Sequence, residues 1–263
     1  MLNFCSLYSG STGNCLFVET ENTKILIDSG VSGKKEEQAL YSLNIDPANL
    51  DAIIVTHEHI DHVQSLGTMS KKYNIPVFAT SKTWDAMPIQ KEKISENNRK
   101  TFDISDHFEI GDLKILPFST PHDAADSCGF NIFNNSTKIS IATDLGEMTN
   151  EILKKLEGSK FVLLESNYEP ELLKCCSYPY NVKNRIAGPT GHLSNVMAGK
   201  TISHLISTGL NSVMLGHLSK ESNFPELAYK TVVNELIDSK FNENSLNLSV
   251  ANRDCISKFI NIA

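Results

Sequence analysis

What most constrains the 263-residue chain is an order of elements that occurs twice: short β-rich runs come first, then apolar runs alternating with helix-period segments. In the first half "NFCSLY", "CLFVET" and "ILIDSG", separated by the turns "SGSTGN" and "ENTK", predict an antiparallel meander. From residue 33 the helical "GKKEEQALYSL", "VQSLGTMSKKY" and "SKTWDAM" alternate with the strands "LDAIIVTH" and "IPVFAT". The polar "KEKISENNRK" then reads as a surface excursion. Strands resume in "HFEIGDLKILPFSTPH" and in the hairpin "CGFNIFNNSTKISIAT", whose "NNST" tip carries turn chemistry. Helices and strands alternate again through "EMTNEILKKLE", "KFVLLES", "SNVMAGKTISHLIS", "NSVMLGH" and "FPELAYKTVVNELI", and "LNLSV" and "SKFINI" read as closing strands. Two sheets packed together with helices outside satisfy both halves, so the expectation is one α/β domain over 1–263.

Charge limits the partners. Lys and Arg total 24 against 31 Asp and Glu, a formal net charge of -7, so the overall field repels nucleic acid. A DNA partner must therefore meet a local basic patch, for which Lys34, Lys35, Lys71, Lys72, Lys91, Lys93, Arg99, Lys100, Lys183 and Arg185 are the candidates. Most of these read as solvated faces. No basic segment leads into a long apolar stretch at the N-terminus, and no later run approaches the length of a membrane span. Six cysteines without a C-x-x-C pair, two of them adjacent at Cys175 and Cys176, point to a reducing cytoplasm.

The chemistry is concentrated in "THEHIDH", directly after the apolar "DAIIV". His57 and His59, two apart in extended backbone, point to one side, while Asp61 and His62 open the next helix. Four donors from one loop cannot all reach a single tetrahedral ion, which favours two cations. Further ligands belong at later strand ends: His122 follows "KILPFSTP", Asp144 follows "ISIAT" and His217 follows "SVMLG". The expected sets are His57, His59 and His122 on one ion, Asp61, His62 and His217 on the other, and Asp144 between them. Imidazole-rich ligation permits zinc, and the carboxylates also suit manganese or iron. His107 and His204 lack a strand-end context and read as ordinary surface or helix residues.

With these residues in place, the H-x-H-x-D-H run and its downstream His122, Asp144 and His217 resemble the metallo-β-lactamase superfamily. The resemblance implies an αβ/βα sandwich, two central mixed sheets flanked by helices, with a two-metal hydrolase centre. It also implies that Asp28, in "ILIDSG", orients the histidines by hydrogen bonds; the other reading is an aspartate that turns the chain with Ser29 and Gly30. "SLYSGSTGNCLFVE", "KKYNIPVFATSKTWDAM", "PHDAADSCGF", "ATDLGEM", "ESNYE", "GHLSN" and "LGHLS" together resemble the YycJ/WalJ group of that superfamily, a likeness covering nearly the whole chain. That group implies a cytoplasmic exonuclease acting on double-stranded DNA from the 5' end. Tyr168 departs from the group, which often carries His there; a phenol does not titrate near neutrality.

On this reading Asp61 steers the proton of the attacking water and His192 assists the phosphate or leaving group. Ser194 is a candidate N-cap, so His192, Ser194 and Asn195 lie where a helix N-terminus suits a phosphate oxygen; a plain capped turn is the other reading. Ser9, Ser11 and Asn14 are candidates to line the substrate side, against a simple Gly-rich turn. Trp84 reads as a core residue ahead of a platform for a terminal base. Two rivals stand: a metallohydrolase of a small ester, thioester or cyclic phosphate, and a protein that keeps metals for structure or sensing.

Overall fold

The computed structural model describes residues 1–237 and 246–262. The chain begins with β1 (Leu2–Tyr8), β2 (Cys15–Glu19) and β3 (Lys24–Ile27), an antiparallel meander. Next come β4 (Ala52–Ile54), β5 (Val77–Ala79) and β6 (Arg99–Thr101), each parallel to its predecessor. A second sheet is built from β7 (Phe108–Ile110), β8 (Leu113–Ser119), β9 (Cys128–Asn134), β10 (Thr137–Ala142), β11 (Phe161–Glu165), β12 (Ser212–Gly216) and β13 (Asn247–Val250). Finally β14 (Ile260–Ile262) crosses back to pair antiparallel with β1. The result is two seven-stranded mixed sheets, ordered β14-β1-β2-β3-β4-β5-β6 and β13-β12-β11-β10-β9-β8-β7.

Period-two patterning explains the layers. Ile25 and Ile27 of β3, with Ala52 and Ile54 of β4, face inward to meet Ile139, Ile141, Phe161 and Leu163 of the second sheet. Leu26 and Ile53 turn the other way and pack under the helices Gly33–Ser42 and Leu66–Tyr73 through Ala39, Leu40, Leu66 and Met69. Val162, Leu164, Val213 and Leu215 likewise meet Ile202 and Leu205 of Asn195–Ile206 and Val232 and Leu236 of Pro225–Ile237. Strands buried on both faces are what the near-continuous apolar runs require.

Three local details differ from the sequence reading. "KEKISENNRK" is more than a surface excursion: it ends in edge strand β6, and Ile94 is buried beside Trp84 in the outer core. An edge strand with only one paired side has no need of an apolar run, which is why its sequence looks like a loop. "VQSLGTMSKKY" is broken at Gln64–Ser65 into Ile60–Val63 and Leu66–Tyr73. Two short helices, Pro170–Cys175 and Tyr180–Ile186, occupy a stretch with no clear apolar period.

Candidate metal centre

The carboxyl ends of β3, β4, β8, β10, β11 and β12 deliver Asp28, the His57–His62 loop, His122, Asp144, Glu165 and His217 to one place. Parallel pairing of β3 with β4 and of β10, β11 and β12 with one another makes those ends coincide. Asp28, Asp144 and His217 adopt φ of 63°, 57° and 55°, a left-handed backbone that costs an L-residue roughly 1–2 kcal/mol. Three such residues just past strand ends mark strain held by the surrounding fold at a working site. The loops are clamped by backbone bonds: Asn14 N–H to the Asp61 carbonyl, Ser29 N–H to His62 and Gly30 N–H to Asn14, each 2.8 Å. A Cβ on Gly30 would fall 1.7 Å from the Asp61 carbonyl oxygen, so only glycine permits this crossing.

The side chains form overlapping donor sets. One is His57, His59 and His122, a second is Asp61, His62 and His217, and the donor atoms within each lie within 4.8 Å of one another. Asp144 sits between, with Oδ1 3.8 Å from His122 Nε2 of the first set and Oδ2 3.4 Å from His62 Nε2 of the second. His57 Nε2, His217 Nε2 and Asp144 Oδ2 are buried and have no hydrogen-bond partner among the described residues. Burying polar atoms unpaired costs about 1–3 kcal/mol each, so three of them at the donor sets fit divalent cations that would collect them. The donor types, imidazole nitrogen and carboxylate oxygen, are those of a divalent metal site.

Electrostatics differ across the centre. Burial, then the neighbouring imidazoles, hold His57 well below the usual histidine range, and burial likewise lowers His122. Burial also opposes a cation on His62, but Asp28, whose Oδ2 is 2.7 Å from Nδ1, together with Asp144 and Asp61 raises it to about 9. His217 is raised against burial by Asp144, Asp61 and Glu165. Burial works against ionisation of Asp61, yet the His217 and His62 imidazoles hold its carboxyl below the usual range.

Glu165 is the residue of this centre that the sequence reading passed over. Its Oε1 lies 2.8 Å from both His192 Nδ1 and His217 Nδ1, and its Oε2 accepts the backbone N–H groups of Leu145 and Leu193. Desolvation would raise this carboxyl, but the two imidazoles hold it low. The signal was present: "KFVLLE" ends an apolar strand in an acid, as "ILID" does at Asp28. Asp28 accepts the Thr56 N–H at 2.8 Å as well as facing His62, so it braces the loop.

Of the residues singled out for substrate, His192 stands beside Glu165 and is partly exposed. Ser9 Oγ accepts the His217 backbone N–H at 2.9 Å, and Asn14 Nδ2 lies 3.0 Å from His62 Nε2, so both face the donor sets. Ser11 is exposed on the loop. Ser194 caps Asn195–Ile206 by accepting the Met197 N–H, while Asn195 is wholly buried against Ser166, Glu169 and Asn223. Trp84 is buried and donates Nε1–H to the Lys100 carbonyl. Among the candidate cations, Lys72, Lys91 and Arg185 are paired with Glu37, Asp85 and Asp123. Tyr168 is half-buried and its phenol is raised by burial and by Glu165.

Comparison with known proteins agrees with this architecture. Residues 23–217 match the model of the β-lactamase superfamily domain. The exodeoxyribonuclease YycJ of Bacillus anthracis is 35% identical over 91% of this chain and 91% of its own length. The exodeoxyribonuclease WalJ of Streptococcus pneumoniae is 35% identical over 88% of this chain and 86% of its own. Among solved structures, the metallo-β-lactamase fold protein YhfI of Bacillus subtilis superposes with a TM-score of 0.69 over 97% of this chain and 98% of its own, at 15% identity. A chain of this fold, matched to YycJ and WalJ across both of its sheets, belongs to the metallo-β-lactamase superfamily and to its YycJ/WalJ group.

Proposed function

We propose that this chain is a metal-dependent phosphodiester hydrolase, an exodeoxyribonuclease that degrades double-stranded DNA from the 5' end as one domain over 1–263. The observation that carries the reading is the 35% likeness to exodeoxyribonucleases over nine-tenths of the chain, with two donor sets converging on Asp144. His57, His59 and His122 would hold one divalent ion, Asp61, His62 and His217 the other, with Asp144 shared; zinc, manganese and iron all suit this donor set. When bound, the ions acidify water and offset the negative charge of the phosphodiester.

The chain's own groups supply the rest. Asp61, held ionised, accepts a hydrogen bond from the attacking water and so orients it. Asp28 and Glu165 fix the Nδ1 sides of His62 and His217, which leaves their Nε2 atoms facing inward. His192 commits Nδ1 to Glu165, so its Nε2 is the nitrogen free to face a phosphate oxygen or to pass a proton to the leaving alkoxide. The substrate strand would be held by local cations, since the chain as a whole carries -7. The cytoplasm suits six free thiols, and among the described residues no helix is long and apolar enough to cross a membrane.

The test uses purified protein loaded with manganese or zinc and linear duplex DNA labelled at either the 5' or the 3' end. The expected outcome is metal-dependent release of label from 5' ends, reduced more than about 10³-fold by Asp61→Ala with melting temperature preserved. Intact DNA under both metals, alongside hydrolysis of a small ester or cyclic phosphate, would transfer the centre to metabolite chemistry.

A further inference from the structure

The loop "SGSTGN" has two faces. One meets the metal centre through Ser9 and Asn14. The other forms part of the wall of a cavity of about 250 Å³, into which Lys35, Lys220 and Arg253 converge with a single carboxylate, Asp254. Some surface cations are neutralised locally, as Lys72 is by Glu37, Lys82 by Asp126 and Arg185 by Asp123. The three cations of this cavity form no ion pair among the described residues. Arg253 Nη1 is buried and makes no hydrogen bond among them, although its side chain lies against the bare backbone of Gly10, where a Cβ would sit 2.9 Å from that nitrogen. Lys35, over the Tyr8 ring at 5.8 Å, and Lys220 are exposed. With Asp254 as the one acid the cavity is net positive in a chain of net charge -7, and the buried, unpartnered Arg253 Nη1 in its wall suits an anion.

We propose that this cavity is a phosphate subsite that seats one phosphate of the substrate strand, with Arg253 and Lys220 as its principal contacts. The inference rests on the DNA reading above and specifies where the strand is gripped. Lys220 lies three residues after His217, a span of at most roughly 10 Å of extended chain. A strand advances about 3.4 Å per nucleotide, so a phosphate held there lies within a few nucleotides of the scissile bond. Arg253 offers a planar fork to two phosphate oxygens, and Lys220 and Lys35 add mobile point charges. The phosphate can be the 5'-terminal monoester or an internal diester; both present the same oxygens to these cations.

Fluorescence anisotropy of the metal-loaded protein separates them, using duplexes whose first linkages are phosphorothioate and whose 5' end carries either phosphate or hydroxyl. Arg253→Ala and Lys220→Ala are each expected to weaken binding about tenfold and to make the dependence of log K on log salt shallower by about one. Lys24→Ala, at the opposite end of β3 from Asp28, serves as the equal-charge control and is expected to change neither. Loss confined to the 5'-phosphorylated duplex identifies the terminal phosphate, and equal loss on both identifies an internal one; either bears out the subsite. Wild-type affinity and salt slope in both variants on both duplexes would overturn it. Absence of cleavage by the wild-type protein, with binding still sensitive to Arg253→Ala, would remove the nuclease reading and leave the subsite standing.

Discussion

The two donor sets use the same imidazole chemistry on different supports. His57 is backed by the Thr56 hydroxyl at 3.0 Å, and His122 donates Nδ1–H to the Gly191 carbonyl at 3.1 Å. Neither partner carries a charge, and burial holds both rings neutral. His62 and His217 are instead backed by the carboxylates of Asp28 and Glu165, which raise the basicity of both rings despite complete burial. A carboxylate behind an imidazole makes it a better donor and fixes its tautomer. The first set is thus backed by packing and neutral hydrogen bonds, and the second by buried carboxylates.

Removing the ions should have the largest effect, because it strands both sets at once. Chelation is expected to abolish hydrolysis and to lower the melting temperature by at least about 5 °C, given stabilisation of a few kcal/mol by tightly bound ligand. A melting curve unchanged by chelator would mean that the orphaned nitrogens of His57 and His217 are not waiting for a cation. Next comes Glu165→Gln, which weakens the support of His217 and His192 together. It should reduce activity toward the upper end of the 10–100-fold range. Metal content, measured by mass spectrometry at limiting metal, should fall from about two ions per chain toward one, since Glu165 touches no ring of the first set. Equal loss of both ions would break the distinction between the sets.

Much of the scaffold was legible because it is written in short periods. Runs such as "ILID" and "FVLLE" alternate between two buried faces, and each ends where a polar residue turns toward the centre. The donors were legible for the same reason, since each follows an apolar strand. What escaped depends on contacts distant in sequence. Glu165 gains its role only from His192 and His217, 27 and 52 residues away. Asn195 looks like a surface helix-start residue, yet Glu169 and Asn223 enclose it. Arg253 and Lys220 are unremarkable in the sequence and become a pair only where the tail from β13 to β14 passes the first loop. Edge strand β6 was hidden because one-sided pairing imposes no apolar pattern.

Glu36 sharpens the comparison with the smallest expected effect, on stability alone. Like Glu165 it is completely buried, but its neighbours are the hydroxyls of Ser29 and Ser65 at 2.8 Å, with no imidazole facing it. Desolvation therefore wins over those hydrogen bonds and lifts its carboxyl from 4.5 to about 8. The folded chain keeps the Glu36 proton up to that pH, whereas the unfolded chain releases it near 4.5. Between these values the native state binds more protons, so the stability contributed by the neutral carboxyl is complete below about pH 4.5 and declines as pH rises toward 8. Glu36→Gln keeps the shape and an acceptor for the two serines but cannot ionise. Urea titrations of the metal-loaded protein at pH 5, 6.5 and 8 should show the variant gaining on the wild type as pH rises, by on the order of a few kcal/mol across the range. Parallel pH profiles would mean that Glu36 is ionised in place and that hydroxyls alone can carry a buried carboxylate here. The imidazoles facing Glu165 would then no longer be what sets the two carboxyls apart.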